Sequence, residues 1–136
     1  MYPMRYTRTV KPTAASMKRV QAIFFRTEAG GEPLRDWLRN LEPADDRRRI
    51  GIDIMTVEFG WPLGMPTCRA LKDGLYEVRS TLSGGRIARV LFYIDLQGRM
   101  VLLHGFLKKT QKTPENELEL ARRNKRTHEA EMRQKR

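Results

Sequence analysis

Two short turns, Ser83-Gly84-Gly85 and Asp95-Leu96-Gln97-Gly98, cut the second half of the chain into three β-rich runs, and no other feature constrains the fold as much. Turns this tight join antiparallel neighbours, because a parallel crossover needs a dozen or more residues. Residues 75–81, 86–94 and 100–107 are therefore expected to form a three-stranded antiparallel meander. Upstream, V-Q-A-I-F-F at 20–25 reads as a first strand, closed by Glu28-Ala29-Gly30-Gly31. Residues 32–41 then carry Leu34, Trp37, Leu38 and Leu41 on one helical face. Pro43 opens a second helix that runs to Gly60, with Asp45 and Asp46 in its first turn and an apolar stripe of Ile50, Ile54 and Val57. Thr113-Pro114-Glu115 starts a last helix, whose apolar residues Leu118 and Ala121 soon give out.

The resulting order, β-α-α-β-β-β-α, implies an α+β domain. A two-helix hairpin covers one face of a small sheet, and the other face is expected to be open and to hold the site. At 136 residues the chain has room for one core. Residues 1–18 read as a basic arm, 19–123 as the single domain and 124–136 as a charged tail that frays unless a partner orders it.

Charge narrows the class of partner. The formal net charge is +11, which favours a polyanion. Residues 19–67 hold seven basic and eight acidic residues, whereas 68–112 hold nine and three. The excess thus falls on the expected strands and not on the helices. A lone cysteine, Cys68, excludes an intrachain disulfide and a cysteine metal cluster. No apolar run long enough for export or membrane passage is present, so a cytoplasmic protein is expected.

The last strand leads into Lys108, Lys109 and Lys112, a stiff support ending in cations, as a phosphodiester site requires. Solvated lysines at a strand end, placed there against aggregation, are the plainer reading. Alternation along the strands puts Glu77 with Arg79, Arg89 with Leu91 and Tyr93, and His104 with Phe106 and Lys108. Arg79, Arg89 and Lys108 would then share a face, with Glu77 and His104 as proton carriers. Equally, Glu77 fits an ordinary cross-strand ion pair with an arginine, and His104 a half-buried structural residue. Tyr76, Tyr93 and Phe106 are core residues by default, but an exposed ring would stack a splayed base. A lysine among arginines has its ammonium form disfavoured, so Lys108 or Lys109 fits general acid or base work. Such a site suits metal-free RNA cleavage by attack of the 2′-hydroxyl on the adjacent phosphate. Metal-assisted cleavage needs grouped carboxylates, and Asp73, Glu77 and Asp95 are scattered in the sequence. No metal and no cofactor are expected.

Three segments, L-K-D-G-L-Y-E-V-R-S (71–80), R-I-A-R-V-L-F-Y (86–93) and L-L-H-G-F-L-K-K-T-Q-K-T-P (102–114), together resemble the RelE/HigB superfamily of toxins, in particular its phage-derived HigB-like branch. The resemblance implies a RelE-like fold with a mostly antiparallel sheet. It also implies the toxin of a type II toxin–antitoxin pair, a ribosome-dependent endoribonuclease that cuts messenger RNA without metal or cofactor and inhibits translation. Arg79 and Arg89 match arginines expected to hold phosphate. Lys108 and Lys109 match the basic end of the last strand, and His104 a histidine near the site in some members. The C-terminal tyrosine of some members has no match after Tyr93, which leaves Lys109, His104 or Glu77 as proton donor. Lys72, Tyr76, Arg86, Phe106 and Lys112 are the expected RNA contacts. The implied partners are the ribosome, messenger RNA and a helix-turn-helix antitoxin, through which the complex would bind operator DNA. The alternatives are a gyrase-inhibiting toxin of the same fold and a non-enzymatic basic nucleic-acid-binding protein.

Overall fold

A computed structural model describes residues 17–108 and 112–135. Five strands, β1 (Gln21–Phe24), β2 (Cys68–Ala70), β3 (Tyr76–Thr81), β4 (Ile87–Ile94) and β5 (Arg99–Lys108), form one sheet in the order β1-β5-β4-β3-β2. The meander β3-β4-β5 is antiparallel, as its turns require. β1 joins β5 in parallel, because the helices α1 (Pro33–Arg39) and α2 (Ala44–Gly60) carry the chain across the sheet first. This is an α+β architecture consistent with a RelE-like fold.

α1 has Pro33 at its start and Asp36 in its first turn, but seven residues do not hold a helix in water alone. Packing supplies what is missing. Leu34 and Leu41 are buried, together with Ile50, Ile54 and Val57 of α2, against Val78, Val90, Phe92 and Leu102 of the sheet. Each fully buried side chain of this size contributes about 1.5–3 kcal/mol. The approach of α1 to β5 requires a glycine. A Cβ at Gly105 would stand 2.5 Å from Leu34 Cδ1 and 2.8 Å from Trp37 Cζ3.

Two expectations are corrected here. The second sheet face is not open along its length, because α3 (Glu115–Gln134) lies across it. Ala121 and Leu118 pack on Leu91, Val101 and Leu103. Nor does the helix fray after Arg123. Its sheet-facing stripe continues at the same spacing through residues of mixed chemistry, which hydropathy does not register. Asn124 donates to the Leu103 carbonyl at 2.9 Å, Lys125 donates to the Asp73 carbonyl at 2.8 Å, and Met132 Sδ lies 3.3 Å from Arg99 Nη2. A register shift in the β4-β5 ladder admits an extra residue in β5. Leu103 and His104, adjacent in sequence, consequently both meet α3.

Tyr93 Oη lies 2.5 Å from Nδ1 of the buried His128. Burial, reinforced by Glu129 and Asp95, raises the Tyr93 hydroxyl well above its ordinary pKa of 10.0. The phenol keeps its proton and donates it, so Nδ1 accepts. Burial also lowers the His128 imidazole below its ordinary 6.5. The ring is neutral in the fold, and protonation would both charge a buried group and remove the acceptor. With the folded pKa below the unfolded one, the unfolded chain binds the additional proton. Stability is therefore full above the unfolded value and declines as pH falls through the folded one. His128→Gln is expected to flatten the fall of the urea midpoint between about pH 7 and pH 5. Equal falls in parent and variant would show that the acid sensitivity lies elsewhere.

Candidate functional site

Four cations meet on the α3-facing side of the sheet, past the start of that helix. Arg69 comes from β2, Arg79 from β3, Arg89 from β4 and Lys108 from β5. Register brings them together. Arg79 stands directly opposite Arg89, Arg69 opposite Glu77, and Lys108 opposite Ile87, two residues from Arg89. Like charges facing each other across a ladder repel, and one acid offsets this. Glu77, 1% exposed, forms ion pairs with Arg89 Nη1 and, at 3.3 Å, with Arg69 Nη2, and accepts from Thr113 Oγ1 at 3.2 Å. Arg69 Nη2 also reaches Thr113 Oγ1 at 3.5 Å. The Nε atoms of Arg69 and Arg89 are buried without a hydrogen-bond partner among the described residues.

The electrostatics follow from this crowding. Burial and then the neighbouring Arg69 lower the pKa of Arg89. Desolvation, followed by the charges of Arg89, Arg69 and Arg79, lowers that of Lys108. Lys108 is the more accessible of the two and the group whose proton is easier to move. Among the described residues no acid pairs with Arg79, so its guanidinium remains available to an anion.

Of the other expected site residues, some lie close and some do not. Phe106 stands opposite Arg89 but is buried in the core beside it. His104 stacks on Phe106 at 5.8 Å, and its Nε2 lies 2.7 Å from Glu117 Oε1 of α3. It braces the helix and does not reach the cluster. Tyr76 moves out of the site altogether. It is on the α2 side of the sheet, with its ring 4.8 Å from Trp61 and 5.5 Å from Phe92. Arg86 holds the β3-β4 turn to α2 by pairing with the buried Asp46, and it donates to the Ser83 carbonyl at 3.1 Å. Lys72 is exposed in the β2-β3 turn, and Lys112 is exposed one residue before Thr113. Lys109 lies outside the described residues.

Glu77 takes the ion-pair alternative, with Arg89 and Arg69 and not with Arg79. Buried among donors, its carboxylate stands as the counter-ion of the two arginines. Sequence reasoning missed Arg69 and Thr113. β2 is three residues long and shows no periodicity, and Thr113 read only as a helix start. Asp73 and Asp95 stay apart from Glu77. Asp95 accepts from the backbone N–H groups of Gln97 and Arg99, each at 2.9 Å, and pairs with the Arg99 side chain. Asp73 sits in the β2-β3 turn with φ 62°. Among the described residues, no three His, Cys, Asp or Glu side chains group as metal ligands. Cys68 is buried, which pushes its thiol up to about 11 and keeps it unreactive. No helix among the described residues is long and apolar enough to cross a membrane.

An α+β domain with a mixed sheet of this order, and a basic cluster where its strands meet the C-terminal helix, is a small RelE-like fold. Residues 36–126 match the family model of the phage derived protein Gp49-like type (DUF891). The chain belongs to this family, a RelE/HigB-like toxin family of toxin–antitoxin systems. The match spans α1 to the middle of α3 and contains the whole cation cluster. A comparison with curated proteins finds no match.

Proposed function

We propose that this chain is the toxin of a type II toxin–antitoxin pair, of the HigB-like branch, and that it cleaves messenger RNA on the translating ribosome. The observation that carries the reading is the convergence of Arg69, Arg79, Arg89 and Lys108 from four strands on one patch, where a single buried acid, Glu77, pairs with Arg69 and Arg89. After Glu77 is neutralised, the cluster retains a surplus of fixed positive charge on rigid supports. That surplus suits a phosphodiester whose charge grows in the transition state.

In the proposed reaction the 2′-oxygen attacks phosphorus and the bond to the 5′-oxygen breaks. The hydroxyl proton passes to a base, and the leaving oxygen takes up a proton. Lys108, whose ammonium is destabilised by burial and by three arginines, fits the base. Arg79 fits the stabiliser of the phosphate oxygens. The turn of His104 toward Glu117 favours a proton donor other than this histidine. The antitoxin would neutralise the chain by covering the basic face, and operator DNA would be bound through that partner.

The test is a reconstituted translation reaction with mapping of messenger RNA 5′ ends. Discrete cuts that require ongoing translation are expected. Intact messages accompanied by blocked gyrase supercoiling would overturn the nuclease reading in favour of a gyrase inhibitor. Salt-sensitive binding with neither effect would leave a non-enzymatic nucleic-acid binder.

A further inference from the structure

The two arginines that share Glu77 differ in what they can reach. The Arg89 side chain is 3% exposed, while that of Arg69 is 38% exposed, although both touch the same Oε2 atom. A side chain as enclosed as Arg89 meets no ligand unless its cover is removed. Arg69 stands on β2, at the end of the strand order, where the sheet has an edge that an extended polymer can approach.

We propose that Arg69, and not Arg89, is the arginine of the Glu77 network that contacts the RNA phosphate. The proposal rests on the phosphate-site reading above and reassigns one role within it. Arg69's present bonds are long, 3.3 Å to Glu77 and 3.5 Å to Thr113, and both use Nη2. A guanidinium carries five N–H donors in a fork; Nε of Arg69 is buried and Nη2 makes both of these contacts, so among the described residues Nη1 is the nitrogen left for an anion. Glu77 and Thr113 fix the direction of the side chain from below, so the fork is oriented before the anion arrives. Arg69 also belongs to the same electrostatic unit as the other cations, since its charge lowers the pKa of both Arg89 and Lys108. Arg89 then has a different task. It is the buried cation that holds the Glu77 carboxylate in place.

The test uses a fluorescent 2′-O-methyl RNA oligonucleotide, which lacks the attacking hydroxyl and so reports binding without cleavage. Affinity of the full chain is measured by anisotropy over a series of salt concentrations. Arg69→Ala is expected to bind more weakly and to lower the slope of log K against log salt by about 0.7, the loss of one single-strand phosphate contact. If Arg69→Ala does not fold, Arg69→Gln, which can still donate to Glu77 and Thr113, takes its place with the same expected loss. An unchanged slope in a folded Arg69 variant, with slopes lowered in Arg79→Ala and Lys108→Ala, overturns the role of Arg69 alone. Unchanged slopes in all three overturn the phosphate site itself.

Discussion

Replacing Arg79 or Lys108 with alanine is expected to reduce translation-dependent cleavage of messenger RNA about 10²- to 10³-fold, equivalent to about 2.7–4 kcal/mol of lost transition-state stabilisation for each. The size of the effect follows from where the two side chains stand. Arg79 is held on the central part of a strand, and no acid among the described residues neutralises it. Lys108 ends the longest strand of the sheet, within the field of three arginines. Neither side chain is part of the buried core, so both variants are expected to remain folded. Cut frequency is read by 5′-end mapping, and the urea midpoint serves as the control for folding. Lys108→Arg separates the two roles open to this position. It keeps the charge but not an accessible deprotonated form, so a base predicts loss of activity and a simple phosphate contact predicts its retention. Cleavage at the parental rate by folded Arg79→Ala and Lys108→Ala would remove the site from consideration.

The second large effect concerns stability. Glu77→Gln leaves Arg89, 2% exposed, without its counter-ion and brings Arg69 and Arg89 into unscreened proximity. Breaking a buried pair from one side costs about 3–5 kcal/mol, a large share of the 5–15 kcal/mol that holds an ordinary domain together. Urea unfolding near neutral pH should show this loss directly. Removing both charges, in Glu77→Leu with Arg89→Met, should recover most of it, because the desolvation cost then disappears with the pair. If Glu77→Gln proves too unstable to purify, Thr113→Val probes the same carboxylate by deleting one neutral donor, for about 1 kcal/mol. A loss below about 1 kcal/mol in Glu77→Gln would show that Glu77 is no anchor of the site.

The two effects separate function from support within a single cluster. Arg79 and Lys108 are expected to matter to activity far more than to stability, and Glu77 and Arg89 to both. Arg69 lies between, half exposed and bonded to the anchor.

Much of the fold is legible in the chain. Glycine-bearing turns of fixed length impose the meander, and the stripe of Ile50, Ile54 and Val57 places α2 on the sheet as periodicity requires. Arg79 and Lys108 could be named for the same reason, since alternation along a strand is a local rule. The course of α3 could not be read in this way. Its contact stripe runs through Asn124, Lys125 and His128, polar residues whose partners are the carbonyls of Leu103 and Asp73 and the hydroxyl of Tyr93. Hydropathy marks such a stripe as surface.

Sequence by itself determined the order of elements apart from β2, the antiparallel meander and the presence of a cationic patch at the exit of the last strand. These depend on interactions between residues a few positions apart, which spacing and turn chemistry encode. Only the tertiary structure decided which cations are buried and which can meet a ligand. Glu77 selects Arg89 over Arg79, β2 brings in Arg69, and Thr113 closes the network from the start of α3. The physical reason is that desolvation and ion pairing are set by neighbours far apart in the chain, and a one-dimensional pattern carries no record of which arginine lies beneath another.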